Sequence, residues 1–230
     1  MPRQPRYRIP GFPQHVVQRG NDRQATFYAD NDFAIYRHYL AEAAAKHHCE
    51  VHAYCLMSNH VHLLVTPRSP DAVCKLIQSV GRRYVYYINH AYERTGTLWE
   101  GRYRATLVED DAYALTCYRY IELNPVRAAL VDHPAGYPHS SYRRNALGDV
   151  DFVVSEHAVY TALANTRSAR MVAYRRLFED QLEKSQLAEI RQMTQSCRVL
   201  GSDSFRDRIE HVLRRSVRPG QPGRPRNRRP

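Results

Sequence analysis

Apolar residues recur along the chain in two alternating periods, and these periods predict its elements. His15-Val16-Val17-Gln18 is short and β-prone, and Gly20-Asn21-Asp22 reads as the turn that ends it. From Asp30 to His48, Phe33, Ile35, Tyr36, Tyr39, Leu40 and Ala43 recur at helical spacing, with Asn31 or Asp32 as the cap. Two period-two runs follow, Val51 to Met57 and His60 to Thr66, joined tightly by Ser58-Asn59 as a hairpin that Pro67 to Pro70 closes. Asp71 to Tyr92 predicts a second long helix, its buried face carrying Val73, Leu76, Ile77, Val80, Tyr84 and Ile88. After a Gly96–Gly101 segment around Trp99, Tyr103 to Val108 reads as a strand. Asp110-Asp111 starts a helix from Ala112 to about Leu123, Asn124-Pro125 breaks it, and Val126 to Val131 adds a further turn.

This order predicts an α+β fold, an antiparallel sheet covered by helices on one side. Beyond Asn145 the period becomes mostly helical through residues 155–216, with Ser202-Asp203 capping a helix to Arg215. The expected organisation is therefore a domain over 1–146, a helical extension over 147–216 and a disordered basic tail over 217–230. Residues 1–10 look like a basic arm. No internal repeat is present.

Charge narrows the function. In 230 residues, 34 Lys+Arg stand against 23 Asp+Glu, a formal charge of +11, and the pI is near 9.6. Such a field favours polyanions, and the excess is mostly Arg, which can fork onto phosphate and stack on bases. No run approaches the ~20 apolar residues of a spanning helix, and the opening MPRQPRYRIPGF carries no apolar signal segment. The five cysteines form no C-x-x-C pair and read as reduced thiols. Nucleic acid in the cytoplasm, at the nucleoid, is the expected setting.

Three groups of residues carry candidate chemistry. His60 and His62 lie two apart on a predicted strand, so both imidazoles leave one face and could chelate one divalent ion; two half-exposed strand histidines are the plainer alternative. Tyr120 and Asn124 lie four apart on a predicted helix and share a face. The tyrosine offers a nucleophile that needs activation and the asparagine a neutral oxygen ligand, though either could instead be packing or helix-ending. Arg82 and Arg83, interleaved with Tyr84, Tyr86 and Tyr87, suit stacking on unpaired bases; Arg102, Arg224 and Arg226 are further candidate DNA contacts. Tyr86 and Tyr87 are rival nucleophiles. By ligand softness alone, an imidazole pair suggests zinc.

The stretch Tyr54 to Leu64, with Asn59-His60-Val61-His62 inside it, resembles the HUH strand of single-tyrosine transposases of the insertion-sequence kind. Tyr118 to Val131 resembles the tyrosine-bearing helix of their REP-associated branch, and so do Leu98 to Tyr103 and Tyr137 to Tyr142. The resemblance covers about residues 5–145. It implies a ferredoxin- or RRM-like HUH core, Tyr120 as nucleophile, and His60, His62 and Asn124 as ligands of Mg²⁺ or Mn²⁺. It also implies cleavage of single-stranded DNA beside a hairpin through a 5′-phosphotyrosine, by a monomer or a dimer, with no small-molecule substrate. Ala129 stands where the family often has Gly, and His139 where it often has Trp. The competing expectations are a catalytically idle DNA-binding regulator, a replication initiator or relaxase with the same core, and a zinc-stabilised RNA-binding module.

Overall fold

The computed structural model describes residues 5–109 and 112–218. The helix-start pair Asp110-Asp111, and Arg224 and Arg226 of the basic tail, lie outside the described residues. The strands are β1 (Gln14–Arg19), β2 (Cys49–Met57), β3 (His60–Pro67), β4 (Arg104–Val108) and β5 (Val199–Leu200). They form one sheet in the order β2-β3-β1-β4-β5. Every pairing is antiparallel except β4–β5, where Leu107 faces Val199 and Val108 faces Leu200 in parallel. The two-residue β5 has no period-two signature, and sequence reading missed it.

The helices cover both faces of the sheet, not one. On the first face, α1 (Asp30–Lys46) and α2 (Ala72–Ala91) pack Tyr36, Leu40, Leu76 and Tyr84 onto Val16, Val61, Leu63 and Val65. On the second, Ala53, Cys55 and Leu64 meet Cys117, Tyr118 and Ile121 of α3 (Ala112–Glu122). Alternation along the hairpin produces this division: Val61, Leu63 and Val65 point one way, His60, His62 and Leu64 the other. The second core continues into Tyr160 of α5 (Ala158–Thr161), Tyr174 of α6 (Arg167–Arg176), and Ile190 and Met193 of α7 (Lys184–Ser196). The C-terminal extension thus shares a core with the sheet.

Element boundaries follow local chemistry. Gly20 ends β1 because an added Cβ there would sit 2.2 Å from the Gln24 carbonyl oxygen, so only glycine permits the turn. At Tyr120 the helix does not run unbroken to Asn124. It ends at Glu122 and restarts as α4 (Asn124–Arg127) with Pro125 in its first turn, where a missing N–H costs nothing. Ala129 closes that turn at φ 53, a left-handed backbone that accounts for glycine being favoured there. His139 stacks flat on Phe33, ring centroids 3.7 Å apart, so an aromatic surface is kept. Ser202 caps α8 (Asp203–Leu213), its hydroxyl accepting from the Phe205 N–H. Against α8 and β5 lies the N-terminal arm, through Tyr7, with the fully buried Val217. Arg218 pairs with Asp207 and Glu210. Among the described residues, no helix is long and apolar enough to cross a membrane.

Candidate active site

Strand register assembles the floor of the site. In antiparallel pairing, directly opposed residues share a face. His62 on β3 opposes Val17 on β1 and Cys55 on β2, while His60 opposes Arg19 and Met57. Val17 in turn opposes Arg104 on β4. One face therefore presents two imidazoles flanked by two guanidinium groups. The imidazole rings lie 5.1 Å apart between centroids, at 79°.

The wall facing this floor comes from α3 and α4. The Tyr120 ring centroid lies 5.9 Å from that of His62. Asn124 donates its side-chain N–H groups back to the carbonyls of Tyr120 and Ile121, 3.2 Å each. This turns the oxygen arm of its amide the other way. Arg127 donates to the Tyr120 carbonyl at 2.7 Å and lies over the Tyr120 ring, 4.3 Å from its centroid. Burial pushes the Arg127 pKa down, and its Nη1 is buried without a partner.

Floor and wall enclose a cleft of about 620 Å³ that His60, His62, Tyr120 and Asn124 line together. Six arginines line it too (Arg19, Arg23, Arg102, Arg104, Arg127 and Arg191) against one carboxylate, Glu100. An anion is the ligand such a wall selects. Among the sequence-based DNA candidates, Arg102 lines the cleft. Arg82 and Arg83 on α2 do not: Arg83 pairs with Glu42 at 2.7 Å and lies over the Tyr39 ring. The rival nucleophiles are also elsewhere, Tyr86 being exposed and Tyr87 donating to Asp32. Sequence reading missed Arg19, Arg23, Arg104, Arg127 and Arg191. For Arg19 a signal existed, since His15, Val17 and Arg19 share one face of a strand by period.

The ring nitrogens suit a cation. Asn59 donates its amide N–H to the Arg23 carbonyl, which aims Asn59 Oδ1 at His60 Nδ1, 2.7 Å away. That oxygen can only accept, so His60 carries its proton on Nδ1 and keeps a lone pair on Nε2. His62 Nδ1 is likewise engaged, 2.8 Å from His15 Nε2. Burial keeps these imidazoles neutral: it holds His60 down at about 4 and His62 well below the usual range. Neutral imidazole is the form that ligates. Among the described residues, no three His, Cys, Asp or Glu side chains gather to hold a metal. The available donor set is the two imidazoles and the Asn124 amide oxygen, which leaves positions open for phosphate oxygens.

Two histidines of one strand thus face a tyrosine and an asparagine across one cleft. Residues 11–124 match the model of the IS200-like transposases, and the chain belongs to that family. A REP-associated tyrosine transposase of Haemophilus influenzae is 24% identical over 111 residues, covering 44% of this chain. The match takes in 63% of that relative's length. The fold is similar to the solved structure of a REP-associated tyrosine transposase bound to a REP hairpin, with a TM-score of 0.55 and 18% identity. That match covers 68% of this chain and 93% of the other.

Proposed function

We propose that this transposase is an endonuclease and strand transferase for single-stranded DNA at hairpin-forming, REP-like sequences. It cuts with Tyr120 and a divalent cation, Mg²⁺ or Mn²⁺, at His60, His62 and Asn124. The observation that carries this reading is the convergence of those four side chains in one arginine-lined cleft. The solved structural relative is bound to a REP hairpin, which supports the choice of substrate.

In the proposed reaction the Tyr120 oxygen bonds to the phosphorus of the scissile linkage as the bond from phosphorus to the 3′-oxygen breaks. The phenolic proton passes to solvent, and the departing 3′-oxygen takes up a proton. The products are a 5′-phosphotyrosine and a free 3′-hydroxyl; one phosphoester replaces another, so no nucleotide triphosphate is consumed. Arg127, fixed by the Tyr120 carbonyl, holds the phenol ring and presents an unpaired N–H to the incoming phosphate. Val17 and Met57 line the cleft beside the ligands and limit the room left for water. His60, His62 and Asn124 would hold the cation, which would supply charge neutralisation at the phosphate.

Incubation with 3′-labelled hairpin DNA and Mn²⁺ tests the reading, because the strand held on a 5′-phosphotyrosine keeps its 3′ end. The expected product is a denaturant-stable protein–DNA adduct that Tyr120→Phe abolishes while hairpin binding persists. An adduct surviving Tyr120→Phe moves the nucleophile elsewhere, and absence of an adduct on every hairpin tried supports a binding-only protein.

A further inference from the structure

Beside His62 runs a line of buried polar groups that also touches the Tyr120 ring, whose centroid lies 5.6 Å from that of His15. His15 on β1 lies edge to edge with His62, centroids 5.1 Å apart and planes 16° from parallel. His15 Nε2 lies 2.8 Å from His62 Nδ1, and His15 Nδ1 lies 3.2 Å from the Thr194 hydroxyl on α7. His15 is fully buried; His62 and Thr194 are buried too. Thr194 lies well beyond the residues that match the family, 11–124.

The geometry points to His15 and Thr194 as positioning residues: the line Thr194–His15–His62 fixes His62 with its proton on Nδ1 and its Nε2 lone pair towards the cation. Helix α7 thereby becomes part of the active site. This rests on the proposed role of His62 as a ligand.

Two neutral rings at 2.8 Å share one proton, and only two arrangements satisfy the line. In the first, His62 Nδ1–H donates to His15 Nε2, and His15 Nδ1–H donates to the Thr194 oxygen. In the second every bond reverses, His62 is protonated on Nε2, and no lone pair remains for a metal. The first is the arrangement that leaves the His62 Nε2 lone pair free for the cation. It also matches His60, whose Nδ1–H is fixed by the Asn59 oxygen. Both ligands would then be held by the same nitrogen from opposite sides. Partners of this kind around a metal-binding histidine set tautomer and ring angle, and losing one weakens metal binding by about 10–100-fold.

Long-range ¹H–¹⁵N correlation spectra of the full-length wild-type protein at neutral pH read the tautomer directly. His62 protonated on Nδ1 is expected; His62 protonated on Nε2 in the metal-free protein overturns the proposal. Mn²⁺ titration by calorimetry supplies the second readout. His15→Phe should weaken Mn²⁺ binding by about 10–100-fold. His15→Gln, whose amide oxygen can accept from His62 Nδ1, should recover much of it, and Thr194→Val should weaken it less. His62→Ala is the control that separates the two claims. If His62→Ala leaves Mn²⁺ affinity unchanged, His62 is not a ligand and the underlying reading fails. If His62→Ala abolishes binding while a folded His15→Phe binds like wild type, the ligand stands and the relay fails. Should His15→Phe not fold, the tautomer and the Gln variant still decide.

Discussion

At the scale of single residues, Arg127 is the group whose surroundings fit a reaction better than they fit stability. Its guanidinium is half-buried over the Tyr120 ring, with one nitrogen committed to a carbonyl and another left unpaired. A buried donor without a partner costs about 1–3 kcal/mol, a cost a bound phosphate would relieve. Arg127→Met keeps the apolar stem and removes the donors, so adduct formation should slow by about 10²–10³, the effect of deleting one preorganised donor. The unfolding midpoint should change little, and an unchanged cleavage rate would remove Arg127 from the chemistry. Ala129 presents the opposite case. It is exposed and held at φ 53, where a Cβ costs about 1 kcal/mol. Ala129→Gly should therefore raise the melting temperature by about 2–4 °C, as thermal denaturation would register, and leave cleavage alone.

Between elements, the strongest polar tie is Glu122 at the end of α3. It is fully buried and accepts from Ser141 (2.5 Å), Asn145 (2.9 Å) and Tyr174 of α6 (2.7 Å). Burial raises its pKa to about 7, against the lowering effect of the three donors. Because the folded value lies above the unfolded one, the associated stability is full below pH ~4.5 and is lost as pH rises through about 7. By linkage the loss is about 3 kcal/mol. His52, buried between Thr66 and the Ser155 carbonyl, has the opposite sign. Burial lowers it to about 4, so its contribution is present above pH ~6.5 and is lost as pH falls towards 4. The two windows overlap and largely offset each other up to about pH 6.5, so stability should fall chiefly as pH rises from there through about 7. Glu122→Gln should abolish that fall while leaving stability to rise with pH up to about 6.5; a fall retained in that variant would assign it to another group. Neither tie was legible in the sequence, and the reason is general. Periodicity told which way His60, Val61 and His62 point, and where the hairpin and the two long helices lie, because these depend on neighbours in the chain. It could not tell that Tyr174 stands opposite Glu122, that β5 pairs with β4, or that helices fill the second face of the sheet. Those facts depend on partners dozens of residues away. The proposed catalytic four were legible only through motif resemblance, while most of the arginines beside them carried no local mark.

For the molecule as a whole, part of the basic excess gathers where the reaction is proposed: six arginines and one carboxylate line a single cleft. Backbone-tracking sites for single strands lose affinity as salt rises, with a slope of about −0.7 per neutralised phosphate in log–log form. If all six guanidiniums met phosphates, the slope would be about −4. Replacing one should make it shallower by about 0.7. Arg191 is the informative choice, because it lies on α7, outside the residues that match the family. Arg191→Ala and Arg19→Ala should each reduce both affinity and slope, measured by fluorescence anisotropy with hairpin DNA between roughly 50 and 300 mM salt. A slope equal to wild type would mean that α7 closes the cleft without touching the strand. DNA would then be held by the sheet and α3–α4 alone, and the extension would act on the reaction only through the position of His62.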